Sequence, residues 1–132
     1  MATVAGTAAA NIDNSEFRGK RLDQPQKRSN VHRITVAGAD VCPRYVDSIE
    51  LVHATQITSV IADASYHPGL FCIKQTGSGT AGHTVTLTKG SFDGTNNTAT
   101  LNAVNECLLV WFDTWGNGTI VENVGDVGLS AV

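Results

Sequence analysis

The stretch Gly82–Val124, GHTVTLTKGSFDGTNNTATLNAVNECLLVWFDTWGNGTIVENV, constrains the fold more than any other part of the chain. His83–Thr88 alternates strictly, with Val85 and Leu87 on one face and Thr84, Thr86 and Thr88 on the other. A period of two in β-branched residues specifies a half-exposed strand, and threonine suits its outer face. Asp93-Gly94 and Asn96-Asn97 tolerate positive φ and predict a chain reversal. Thr98–Leu101 resumes the alternation with Ala99 and Leu101 inward, while Leu108–Phe112 is apolar at every position. Five apolar residues are too few for a typical helix, and Val, Trp and Phe favour a strand covered on both faces, one by a second sheet and the other by a neighbouring subunit. Gly116-Asn117-Gly118 then turns into a last strand over Thr119–Val124, in which Ile120 and Val124 flank Glu122.

The remaining body repeats this grammar. Val31–Val36 reads as a strand ending in a Gly38-Ala39-Asp40 turn, and Ser48–His53, Gln56–Ala62 and Leu70–Lys74 as three more. Asp63–Gly69 and Gln75–Ala81 are loops, and no convincing helix interrupts the series. Strands at such spacings predict an all-β fold: a compact antiparallel β-sandwich or barrel of about eight strands over residues 31–132. Residues 1–30 are different. Met1–Ala10 is Ala, Gly, Thr and Val without periodicity, Asn11–Asn30 is polar and charged, and Pro25 breaks any long helix. This is an extended N-terminal arm, able to reach on the order of 100 Å when fully stretched.

At 132 residues the chain makes one domain that buries about two thirds of its unfolded surface, so it folds without metal or disulfide staples. Charged residues are 16% of the total, which leaves a surface of Thr, Ser, Asn and Gly. Charge is unevenly placed. Residues 1–44 hold seven Lys or Arg against four acids, and residues 45–132 two against eight. A basic head on an acidic body suits docking on an acidic surface. Nucleic acid is a weaker candidate and is not expected as a partner, because the basic residues are few and only Phe17 lies among them to stack. The odd number of cysteines, Cys42, Cys72 and Cys107, with no CxxC pair, predicts reduced thiols that behave as small hydrophobes. No apolar run approaches the ~20 residues of a membrane span, and the first residues lack the basic and apolar regions of a signal peptide.

Motifs that usually carry chemistry fail on their surroundings. Gly77-Ser78-Gly79-Thr80-Ala81-Gly82 matches GxGxxG, but a strand follows it, so no helix N-terminus is there to hold a pyrophosphate and a hairpin loop is expected. His32, His53, His67 and His83 lack metal-ligand spacing. Asp93–Asn97 lacks the spaced acids of a calcium loop. No GxSxG elbow is present, and Asp47, Glu50, Glu106 and Asp113 offer no spacing that singles out a catalytic pair. The expectation is therefore no catalytic residue, no metal and no cofactor. Trp111 and Trp115 are candidates for core or subunit contact, or for stacking on a sugar or a base.

Ile61–Phe71 (IADASYHPGLF), Gly82–Leu87, Phe92–Ala103 (FDGTNNTATLNA) and Gly116–Ile120 resemble small structural proteins of tailed bacteriophages, in particular head decoration (cement) proteins and the β modules of tail fibres. The resemblance covers roughly residues 45–130 and not the arm. It implies a compact antiparallel β body that trimerises and works by contact: a non-enzymatic decoration protein on the virion's capsid surface, made in the bacterial cytoplasm, whose partners are the major capsid protein and itself. On that footing Leu109, Trp111 and Trp115 are expected at the subunit interface or in the core, and Arg18, Lys20, Arg21, Lys27 and Arg28 of the arm are expected to hold the capsid lattice. The alternatives are a receptor-binding module of a tail fibre or baseplate, which would bind bacterial surface glycan through Trp115 and the Asn-rich loops, and a small glycan-acting enzyme.

Overall fold

A computed structural model describes residues 30–132. The five basic arm residues named above lie outside the described residues. Ten strands occur among the described residues: β1 (Val31–Ile34), β2 (Gly38–Val41), β3 (Ser48–Leu51), β4 (Ile57–Ile61), β5 (Gly69–Gln75), β6 (His83–Leu87), β7 (Thr98–Leu101), β8 (Cys107–Phe112), β9 (Gly118–Val124) and β10 (Gly128–Ser130). A single 3₁₀ turn, Ala64–Tyr66, is the only helical element among the described residues; the Asp63 carboxylate caps it by accepting from the Ser65 amide at 2.9 Å.

The strands form two five-stranded sheets, ordered β9-β8-β5-β3-β1 and β10-β7-β6-β4-β2. The expected all-β two-layer body is present, with ten strands where about eight were read. Its sheets are mixed rather than purely antiparallel: β1, β3 and β5 run parallel, as do β2, β4 and β6, and β7 to β10 complete each sheet with antiparallel pairs. The reason lies in the connections. Successive strands from β1 to β6 alternate between sheets, so the link between two parallel strands of one sheet is a strand of the other. A parallel pair needs a crossover of a dozen or more residues, and here a strand supplies it where a helix otherwise would. The loop at residues 76–82 is accordingly a passage between sheets, not the hairpin expected from its glycines.

Inward positions fill the space between the layers. Ile49, Leu51, Phe71 and Ile73 on one sheet face Ile57, Ile61, Val85 and Leu87 on the other, all essentially without exposure. The apolar run Leu108–Phe112 divides by parity: Leu108, Val110 and Phe112 are buried, while Leu109 and Trp111 face outward. Phe112 lies 5.9 Å from the Phe71 ring and 6.1 Å from the Phe92 ring, in tilted aromatic contact. Each such buried side chain stabilises the fold by about 1.5–3 kcal/mol through area alone.

The loop end at this cluster is closed by backbone contact. The Gly118 amide donates to the Ser91 carbonyl at 2.8 Å and the Ser91 amide to the Gly116 carbonyl at 3.1 Å. A Cβ at Gly118 would land on the carbonyl oxygens of Ser91 and Phe92, so only glycine lets the two loops meet.

Candidate interaction surface

The two sheets present opposite chemistry to solvent. On the β10-β7-β6-β4-β2 sheet, Ala39, Thr58, Thr84, Thr100 and Gly128 align in one outward row, and the next row carries Val41, Val60, Thr86, Thr98 and Ser130. The Thr86 and Thr98 hydroxyls meet at 3.2 Å. This face is mostly hydroxylated and small, with Val60 and the exposed Val41 at its β2 end.

The other sheet carries an apolar patch on its outer face as well as an apolar inner one. Leu70 pairs with Trp111, Cys72 with Leu109, and Val31 aligns with Ser48 and Cys72 across the parallel strands. Leu70 is 58% exposed and Trp111 47%, while Leu109 is half-buried. Neither Leu109 nor Trp111 is therefore a core residue, and their outward side has no cover among the described residues. A charged row borders the patch: Arg33, Glu50 and Lys74 lie in register, with the Arg33 Nε 3.2 Å from a Glu50 oxygen. Such an exposed pair contributes at most about 1 kcal/mol, so it frames the surface more than it holds the fold. Cys72 and Cys107 stand on this same face, Sγ to Sγ 3.3 Å, and burial together with the neighbouring thiol pushes Cys72 up to about 12. No disulfide is formed among the described residues.

At one end the patch runs into an aromatic tip. Trp115 is 79% exposed, yet its loop is held firmly: Asp113 Oδ1 accepts from the Trp115 amide at 2.8 Å and the Asn117 amide at 3.0 Å. Those amides, Asn117 first, hold the Asp113 carboxyl below the usual carboxylate range. In a separate exposed group, the Arg44 guanidinium sits 4.2 Å from the Tyr66 ring centre, and the Tyr45 ring lies 6.4 Å from that of Tyr66. Aromatic residues and arginine are the types enriched where proteins meet. Tyr45, Tyr66 and Arg44 went unnoticed in the sequence because single aromatics in loops have no period to mark them.

Polar clusters elsewhere do structural work. His32 Nε2 lies 3.0 Å from both Asp40 oxygens, and the Ser59 hydroxyl donates to Asp40 at 2.7 Å. Serine reaches the carboxylate and not the imidazole, so the three are not ordered as a Ser-His-Asp triad. His83 is fully buried; its Nδ1 accepts from the Ile57 amide at 2.9 Å, and burial lowers its pKa. The buried His67 donates Nδ1–H to the Val46 carbonyl at 2.9 Å, and burial lowers it too. Asp93 gathers the amides of Thr95 and Asn96 at 3.0 and 2.7 Å, which makes the DGTNN segment a self-capped turn. No group of three or more His, Cys, Asp or Glu gathers in metal-binding fashion among the described residues. A cleft of about 180 Å³ beside Val31, Ser48 and Cys72 is smaller than the few hundred Å³ of a typical small-molecule site.

No protein-family model, curated protein or solved structure matches this chain.

Proposed function

We propose that this chain is a non-enzymatic virion structural protein, a capsid decoration protein that binds the outer surface of a phage head and adds contact area across its joints. The single observation that carries the reading is the outer face of the β9-β8-β5-β3-β1 sheet, where Leu70, Trp111, Leu109 and Val31 form an apolar surface with charge at its border. Exposed contiguous apolar surface on a small domain marks a contact site. In this reading the face joins copies of the chain, as a trimer, and the basic residues Arg18, Lys20, Arg21, Lys27 and Arg28 hold the major capsid protein. A closed oligomer buries the same patch on every subunit and leaves the arms free to reach neighbours.

The test is co-sedimentation of the purified chain with heads that lack it. Full-length chain is expected to travel with the heads, and a chain lacking residues 1–30 to remain folded by circular dichroism but stay in the supernatant. Equal binding by the folded, truncated chain would remove the arm from the account. One observation favours a second reading, a receptor-binding module of a tail fibre or baseplate: Trp115 is held outward on a loop fixed by Asp113, as a sugar-stacking residue would be. Glycan binding that is lost in Trp115→Ala, without head binding, would select it.

A further inference from the structure

Strand parity and register bring two of the three thiols together on the outside of the β9-β8-β5-β3-β1 sheet. Phe71 and Ile73 point inward on β5, so Cys72 between them points out. Leu108 points inward on β8, so Cys107 beside it points out as well. Across this antiparallel pair Cys72 aligns with Leu109 and Lys74 with Cys107, which sets the cysteines on adjacent strands two residues from direct opposition. Their Sγ atoms lie 3.3 Å apart, and both residues are half-buried. The third thiol is different. Cys42 is buried, and its Sγ donates to the Pro43 carbonyl at 3.5 Å. A cysteine that serves only as a small hydrophobe belongs inside; two that face outward and touch each other are placed for sulfur chemistry.

We infer that Cys72 and Cys107 are a modification site, a dithiol that closes to a disulfide by exchange with a low-molecular-weight disulfide. The Cys107 thiolate attacks one sulfur of the reagent, breaks its S–S bond and expels the first reduced thiol, leaving a mixed disulfide. Cys72 then attacks the Cys107 sulfur and the second reduced thiol leaves. The two cysteines lose two electrons, the reagent gains them, and the two cysteine protons end on the two thiols released. Burial and the neighbouring sulfur push Cys72 up to about 12, so it keeps its proton at neutral pH and acts as the second thiol, while the Lys74 ammonium works in the opposite direction. Closing the bond brings the sulfurs from 3.3 Å to ~2.04 Å. This chemistry belongs to the single chain and does not depend on what covers the face.

The bond would brace more than one strand pair. Cys72 and Cys107 are 35 residues apart, and the chain between them leaves this sheet to form β6 and β7 of the other. The disulfide therefore closes a covalent ring through both layers. Such a ring restricts the unfolded chain and lowers the equilibrium constant for unfolding by on the order of a hundredfold.

Treating the reduced full chain with oxidised glutathione tests the assignment, read by alkylating free thiols in denaturant and mapping linked peptides by mass spectrometry. The native fold is expected to give the Cys72–Cys107 link at least tenfold in excess of either link to Cys42, with one alkylatable thiol remaining and a raised urea midpoint. In strong denaturant, where the register is lost, that preference is expected to vanish. Cys72→Ser is expected to stop at a glutathione adduct on Cys107. Three thiols still alkylatable after treatment, a glutathione adduct that persists on the native chain, or a link between two chains overturns the proposal. An unchanged urea midpoint in the linked chain overturns the bracing role.

Discussion

Replacing Trp111 by threonine tests the apolar face most sharply, because it changes one outward side chain and leaves a residue that suits a strand. An aromatic side chain of this size offers up to about 250 Å², and Trp111 leaves 47% of its surface in water. Covering that remainder against another subunit removes roughly 115 Å² of largely apolar surface, worth about 3 kcal/mol at 25 cal/mol per Å². Losing it weakens association by about a hundredfold per contact. The buried remainder packs beside Leu70 and Thr119, so the fold loses at most a similar amount, an upper bound because unfolded chains already bury some surface. The assay is paired: mass photometry or sedimentation across a concentration series reads association, and urea denaturation of the same samples reads folding. The expected result is a folded variant, cooperative in urea, whose oligomer dissociates at a concentration about a hundred times higher. A folded Trp111→Thr with the native concentration dependence would refute the assignment of this face to subunit contact.

Other outcomes follow from the packing and the titratable groups. Phe112→Ala, which empties the centre of the Phe71–Phe112–Phe92 cluster, costs about 3–5 kcal/mol in denaturant melts. Gly118→Ala forces the loops carrying Ser91 and Phe92 apart and costs about 1–3 kcal/mol, with a lowered melting temperature. His67 and His83 are held below their ordinary pKa by burial, so the unfolded chain takes up protons first as pH falls below about 6.5. Stability is therefore full above that pH and declines beneath it, by no more than about 1.4 kcal/mol per pH unit for each histidine. Denaturation midpoints at pH 7.5, 6.5 and 5.5 check this, and His83→Phe flattens the slope. Asp113→Ala frees the loop that fixes Trp115, so Trp115 fluorescence anisotropy falls in a Trp111→Phe background.

Strand positions were largely legible because burial on one side writes a period of two. In His83–Leu87, Val85 and Leu87 are inside and Thr84 and Thr86 outside, as the alternation requires. β2 was not legible: Gly38-Ala39-Asp40 has turn composition and becomes a strand only because β4 offers its carbonyls. β10 is three residues held by β7 and has too little length for a pattern. β9 reads as regular, yet its bulge turns Val124 to the outside along with Glu122 while Ile120 faces in. Parallel pairing leaves no local mark either, since it depends on which sheet each strand enters. Of the candidate surface, Leu109, Trp111 and Trp115 were visible as apolar residues in excess of what one core face needs. Leu70 was visible only as part of a run, and Tyr45, Tyr66 and Arg44 meet through the fold alone.

Imaging whole particles at a resolution that traces strands is the most direct measurement. The account predicts this chain on the exterior of the head, with the outer side of the β9-β8-β5-β3-β1 sheet, Leu70 and Trp111 included, covered by another protein surface. A chain found only on the tail, or on the head with that side bare to solvent, would contradict it.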